Sequence, residues 1–241
     1  READAGIAVA GATDAAKSAA DIVLTKPGLS VIIDAIKESR KIFRRMESYA
    51  VYRIAETVRV LIFLSLSIIL LGFYPITALM IVLLAILNDL PIMTIAYDNA
   101  PVATKPVRWK MRAIFDLATI LGILGVASSF LLLLLLKEYY HLDAATVQTL
   151  VFLKLAVAGH LTIYLARTGQ QHFWEQPYPA LPLLAAAEGT QLAATIFAVY
   201  GIFITPVGWI PALLVWAYAL AFFLVNDLVK VKLFRIFHPY T

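Results

Sequence analysis

Apolar residues gather in six blocks separated by short polar breaks, and the blocks begin only after about fifty water-compatible residues. They run over residues 54–74, 76–97, 114–136, 147–166, 181–204 and 209–229. Each is near the ~20 residues that an α-helix needs to cross a hydrocarbon core. Pro75 is all that separates the first two, which predicts a tight helical hairpin. The chain ahead of them follows other periods. Gly6-Ile7-Ala8-Val9-Ala10-Gly11 is a short, glycine-bounded apolar run and reads as a buried strand. Thr13 or Asp14 can cap a following helix, because their side-chain oxygens accept the first free backbone N–H groups. Residues 21–25 form a second β-branched strand, with Pro27-Gly28 as the turn after it.

From Ser30 onward Val31, Ile32, Ala35, Ile36, Ile42 and Phe43 recur at helical spacing. The opposite face carries Lys37, Glu38, Arg40, Lys41, Arg44, Arg45 and Glu47. No Gly or Pro interrupts Leu29 to Leu71, so one helix of about 40 residues would reach ~60 Å. That is about twice the bilayer core, and its first part must stand outside the membrane as a stalk. A basic helix lying on the membrane surface is the plainer alternative.

The expected fold is therefore predominantly α and polytopic: six transmembrane helices preceded by a stalk and a small α/β remnant. The expected divisions are residues 1–29 as the end of an α/β domain, 30–53 as stalk, 54–229 as the six-helix domain and 230–241 as a short tail. A strand–helix–strand unit this small cannot bury a core alone. Together with a start at Arg1 and no signal sequence, it leads us to expect further chain upstream.

Composition agrees with a lipid environment: 61% of residues are hydrophobic and 15% charged, against about 25% charged in soluble domains. The absence of cysteine removes disulfides and thiolate chemistry. A net charge of +4 without a basic block gives no footing for nucleic acid. A nucleotide loop is not expected around Gly6 and Gly11, since the G-x-G-x-x-G spacing is missing. Lys and Arg set orientation. Lys37, Arg40, Lys41, Arg44, Arg45 and Arg53 precede the first span, Lys105, Arg108, Lys110 and Arg112 follow the second, and Lys230, Lys232 and Arg235 follow the last. The opposite loops offer only Lys137, so both termini are expected in the cytoplasm. Tyr74, Tyr97, Trp109, Tyr139, Tyr140, Trp174 and Trp209 fall at span ends, as an interfacial belt does.

Ionisable groups inside spans cost about 2.5–3.5 kcal/mol each on insertion scales, so each is a functional candidate. Among them Glu56, Arg59, Asp89, Lys154, His160 and Glu188 stand out as candidates. Arg59 and Asp89 lie ~8 and ~12 Å from the same membrane face on antiparallel spans, close enough in depth to meet. Pro91 lacks an N–H and frees the carbonyl of Leu87, so a broken helix at Asn88-Asp89-Leu90-Pro91 is the best ion site. A buried ion pair that only fixes register is the plainer reading of the same residues. His160 and Glu188 match in depth at ~9–11 Å and are expected to make a helix-packing hydrogen bond. Lys154 has no depth-matched acid and is expected to snorkel. Glu56 can pair with Arg59 or with Arg53.

The stretch ADAGIAVAGATDAAKSAADIVLTKPGLSVIIDAIKESRKIF, residues 3–43, resembles the part of P-type ATPases that follows their TGDGVNDAP motif. RRMESYAVYRIAETVRVLIF and ILNDLPIMTIAYDNAP resemble the fifth and sixth helices of the plasma-membrane proton-pumping subclass. Beyond Pro106 the resemblance rests on helix count and spacing. It implies the end of a phosphorylation domain, a stalk, and transmembrane helices five to ten. It implies that Asp89 takes and releases the transported proton, with Asn88 beside it and Arg59 as counter-charge. It also implies partners in the same protein: an actuator domain, a nucleotide-binding domain and four earlier helices. ATP, Mg²⁺ and the phosphorylated aspartate of DKTGT would belong to those parts, leaving this chain inactive alone. A free Asp titrates near ~3.9, so loading at neutral pH needs desolvation, and release is favoured by a nearby guanidinium. Two other readings are an ATP-independent six-helix carrier or channel, and a non-catalytic remnant acting as an assembly partner.

Overall fold

The computed structural model describes residues 4–26, 30–102 and 111–237. The Pro27-Gly28 turn, the basic residues Lys105, Arg108 and Lys110, Trp109 and the side chain of Arg235 lie outside the described residues. The chain divides into two compact units, Arg1–Phe43 with Pro101–Val107, and Arg44–Ala100 with Arg108–Thr241.

In the first unit, β1 (Ile7–Ala8) and β2 (Ile22–Val23) pair in parallel, Ile7 opposite Ile22 and Ala8 opposite Val23, with α1 (Asp14–Ala19) as the crossover. Thr13 caps α1 through Oγ1, which accepts from the Ala16 N–H at 3.3 Å. The Gly6 N–H donates to Asp21 Oδ2 at 2.8 Å and ties the start of β1 to the turn before β2. Ile7, Val9, Ile22 and Val23 stay exposed, and among the described residues of this unit only Ala8 and Leu24 are buried. Two strands supply the edge of a core and no more.

α2 (Ser30–Leu71) is one uninterrupted helix of 42 residues. It is followed by α3 (Ala78–Met93), a 3₁₀ turn (Thr94–Tyr97), α4 (Met111–Leu134) with a π turn (Leu135–Tyr139), α5 (Ala144–Thr168), α6 (Leu181–Tyr200) and α7 (Trp209–Phe237). Six of these helices are long and apolar enough to cross a membrane. The first hairpin is looser than expected. α2 stops at Leu71 and α6 at Tyr200, short of the expected Tyr74 and Ile204, because Gly72 and Gly201 take left-handed φ angles of 56° and 75°. A glycine there ends a helix at little steric cost. Thr77 then caps α3 by accepting from Met80 N at 3.3 Å, so the loop is residues 72–77 and not Pro75 alone.

α5 forms the axis of the second unit: α3, α4, α6 and α7 all pack on it, and its polar residues Lys154, His160 and Arg167 are buried with the rest. The outer faces of the other helices display Leu61, Ile69, Ile86, Ile123, Leu192 and Leu213, an apolar rim suited to lipid chains. Tyr74, Tyr97, Tyr139, Tyr140, Trp174 and Trp209 are exposed, as expected of a belt. Asp143 caps α5 by accepting from Thr146 N at 3.0 Å, a bond that holds its carboxyl below the ordinary carboxylate range. With the folded value lowered, the cap contributes above ~3.9 and fades as pH falls through the lower folded value.

Gly201→Ala should destabilise the bundle by about 1–3 kcal/mol, since it places a side chain at positive φ. The new Cβ would also lie 2.7 Å from Pro206 Cδ. Gly189→Ala on α6, where an added Cβ meets nothing within 4 Å, should be neutral or gain up to about 1 kcal/mol. Unfolding midpoints in one detergent compare the two.

Candidate functional site

Arg53, Glu56 and Arg59 stand one turn apart along α2 and divide between two settings. Glu56 and Arg59 are 7% and 4% exposed and form an ion pair through Arg59 Nη2 and Glu56 Oε2. Arg59 Nη1 donates to Thr162 Oγ1 at 3.2 Å, and Nη2 reaches the Leu155 carbonyl at 3.5 Å, both on α5. Asn88 Nδ2 on α3 donates to the other Glu56 oxygen, Oε1, at 3.1 Å. Glycines make the room. A Cβ on Gly125 of α4 would lie 2.6 Å from Arg59 Cδ, and one on Gly159 of α5 would lie 2.9 Å from Asn88 Oδ1. Four helices thus meet around a single guanidinium.

Asp89 is not part of that meeting. It pairs with Arg53, Nη1 to Oδ1 at 2.5 Å, and the two side chains are 48% and 42% exposed. The expected Arg59–Asp89 contact is therefore replaced by two pairs, Arg59–Glu56 and Arg53–Asp89. Depth along the membrane had matched Arg59 to Asp89, but depth carries no azimuth. Successive helical residues are ~100° apart, so α3 turns Asn88 inward and Asp89 outward.

α3 also runs on through Pro91 to Met93 instead of opening at residues 88–91, and it tightens only at Thr94–Tyr97. The Leu87 carbonyl that Pro91 leaves without a partner lies 3.1 Å from His160 Nε2. The imidazole replaces the missing N–H, so the freed oxygen is already occupied. His160 Nε2 also lies 2.6 Å from Thr190 Oγ1 on α6, and Nδ1 lies 2.6 Å from the Ala156 carbonyl. Glu188 does not meet His160; it accepts from Tyr164 OH at 2.9 Å. Both residues bridge α5 and α6, through different partners than depth alone had paired.

Lys154 corrects another expectation. It does not snorkel but is 1% exposed, with Nζ 2.6 Å from Ser129 Oγ, 2.8 Å from Ser128 Oγ and 3.4 Å from the Gly125 carbonyl. Because helices surround α5, its lysine has no route to an interface.

Two buried acids escaped the reading of the sequence. Asp98, just past the 3₁₀ turn, takes Arg167 in two hydrogen bonds, Nε to Oδ2 at 2.7 Å and Nη2 to Oδ1 at 3.3 Å. It also accepts from Ala180 N at 2.9 Å, while its carbonyl accepts from Arg45 Nε at 2.8 Å. Asp227 on α7 accepts from Lys230 Nζ at 2.9 Å and from Phe173 N at 3.2 Å, with His172 Nδ1 at 2.5 Å. Asp227 lay inside an expected span, three residues before Lys230, which was signal enough; Asp98 sat one residue past a span end and gave none. Among the described residues, no group of three or more His, Asp or Glu side chains is placed to hold a metal ion.

No protein-family profile matches the chain. It is 54% identical over 235 residues to a Methanocaldococcus jannaschii protein named a cation-transporting ATPase, covering 98% of this chain and 29% of that protein. It is 41% identical over 204 residues to plasma membrane ATPase 1 of Saccharomyces cerevisiae, covering 83% of this chain and 22% of the relative. A Leishmania donovani protein named a proton ATPase is 32% identical over 273 residues, covering 96% and 28%. The chain spans less than a third of the length of these relatives.

The two ion pairs should differ in their weight. Glu56→Gln leaves a guanidinium buried without its counter-charge and should cost about 3–5 kcal/mol. Asp89→Asn breaks a half-exposed pair and should cost no more than about 1 kcal/mol. Chemical or thermal unfolding of the two variants would show equal losses if the pairs were equivalent.

Proposed function

We propose that this chain, a homologue of the P-type cation- and proton-transporting ATPases, is the membrane part of an ATP-driven pump that exports H⁺ across the plasma membrane. In this reading Asp89 is the proton acceptor and donor, and the rest of the pump supplies the ATP site, Mg²⁺ and the phosphorylated aspartate. The observation that carries it is the arrangement around Asn88 and Asp89. A half-exposed carboxylate can exchange protons, and it stands one residue from a buried, charge-compensated block made of Glu56, Arg59 and Asn88.

Arg53 is the counter-charge of Asp89 in the observed geometry. A guanidinium against a carboxylate favours the ionised form and hence release; withdrawing it lets desolvation favour the protonated acid. A displacement of α2 against α3 would switch between the two. Arg59, held by Glu56, Thr162 and Leu155, cancels the Glu56 charge beside Asp89 and so bars return of the proton, which an uncompensated Glu56 carboxylate would draw back. Work against a potential is ~2.3 kcal/mol per charge per 100 mV, so loss of such a barrier shows first at high voltage. Both termini are assigned to the cytoplasmic side.

In the full-length pump reconstituted in vesicles, Asp89→Asn should abolish ATP-driven acidification while phosphorylation from ATP persists. Acidification that survives the substitution would overturn the assignment. Arg59→Ala should leave phosphorylation intact and lower proton flux per ATP as the imposed voltage rises; wild-type coupling at every voltage would reduce Arg59 to architecture. The 241-residue chain purified alone should accept no radiolabel from ATP, and labelling would contradict the division of labour.

A further inference from the structure

Lys154 is a buried cation that the proton path above does not use. Its three contacts are neutral oxygens of α4, those of Ser128, Ser129 and Gly125. Both serine hydroxyls donate to the Gly125 carbonyl, at 3.0 and 2.8 Å, which leaves their oxygens to accept. An ammonium has three donors and no acceptor. A cradle that offers acceptors alone fits that charged form; a neutral amine would need a donor for its lone pair.

Arg59, paired with Glu56, is the charged side chain that shares this region with Lys154. Arg59 passes over the same Gly125 whose carbonyl faces the lysine, and both cations line one cavity of about 20 Å³ with Thr162 and Asn226. This buried region therefore holds two cations to one carboxylate. Its oxygens would otherwise suit a metal ion: both carboxylate oxygens of Glu56, the Leu155 carbonyl, Thr162 Oγ1, and Asn88 Oδ1, which is buried with no hydrogen-bond partner. Arg59 compensates Glu56, and Lys154 adds a positive charge beyond neutrality. In a medium of low dielectric that excess repels any entering cation strongly.

We propose that Lys154 is a specificity-determining residue whose resident ammonium keeps metal cations out of the Glu56–Asn88 oxygens and so restricts the bundle to protons. A proton escapes the exclusion because it is taken up at Asp89, outside the doubly charged pocket, and needs no coordination shell. The inference rests on the pump reading above.

The test uses the full-length pump in vesicles, with proton uptake and tracer Na⁺, K⁺ and Ca²⁺ uptake measured against choline at equal ionic strength. Wild type should pump protons equally in every salt. Lys154→Gln should admit metal ions, lowering proton uptake in at least one metal salt by about tenfold relative to choline, with the matching tracer accumulating. Ser129→Asp neutralises the same charge with the lysine still in place and should do likewise, so the comparison stands even where Lys154→Gln fails to accumulate. Lys154→Arg keeps the charge and should keep the wild-type salt response. Neutralised variants that are phosphorylated from ATP and pump protons equally in all salts, without tracer uptake, would overturn the role of Lys154. So would a Lys154→Arg protein that admits metal ions. Wild-type vesicles that move no protons would instead overturn the pump reading itself.

Discussion

The Glu56–Arg59 pair imposes the strictest condition on the second unit. Two opposite charges one turn apart on a helix are ordinary at a surface, where they contribute little. Buried, they need every remaining hydrogen bond supplied by protein, because removal from water costs several kcal/mol per ion. Asn88 from α3, Thr162 and the Leu155 carbonyl from α5 supply three of them, while Arg59 Nε is buried without a partner. Gly125 and Gly159 let the backbones of α4 and α5 come close enough to do so. The crossing of α2, α3, α4 and α5 is thus a consequence of satisfying one guanidinium and one carboxylate.

The same requirement explains why α3 stays helical past Pro91. A missing N–H inside a span must be replaced or the helix must open. His160 provides the replacement at the Leu87 carbonyl, and α6 adds Thr190 on the far side of the ring. Nothing then drives the segment to unwind into a carbonyl-lined cation site. Of the two neighbouring polar side chains on this segment, Asp89 is half-exposed where Asn88 is buried.

Past the end of α3, Asp98 gathers Arg45 of α2, Arg167 of α5 and the N–H of Ala180 just before α6. Asp227 and Lys230 tie α7 to the loop after α5 through His172, Phe173 and Gln171. These clusters bind helices at their ends, while the Glu56–Arg59 pair binds them in the middle. α2 is held to the bundle at both levels, so a movement of that helix acts on Arg53 and Arg59 together.

The sequence by itself determined six apolar helices, a long uninterrupted α2 and a strand–helix–strand start. These follow from quantities local to the chain: block length, period, and the placing of Gly and Pro. Partners did not follow. Arg59 with Asp89, His160 with Glu188, and a snorkelling Lys154 were all inferred from depth, and the structure gives each residue a different neighbour. Depth is one coordinate; which face a side chain occupies and which helix lies against that face are set by packing. Arg53, which depth placed at the membrane edge, is the residue that reaches Asp89. Only the tertiary structure decided that Asn88 faces inward and Asp89 outward, because a step of one residue turns a helix by ~100° and the four-helix crossing selects which of the two is buried.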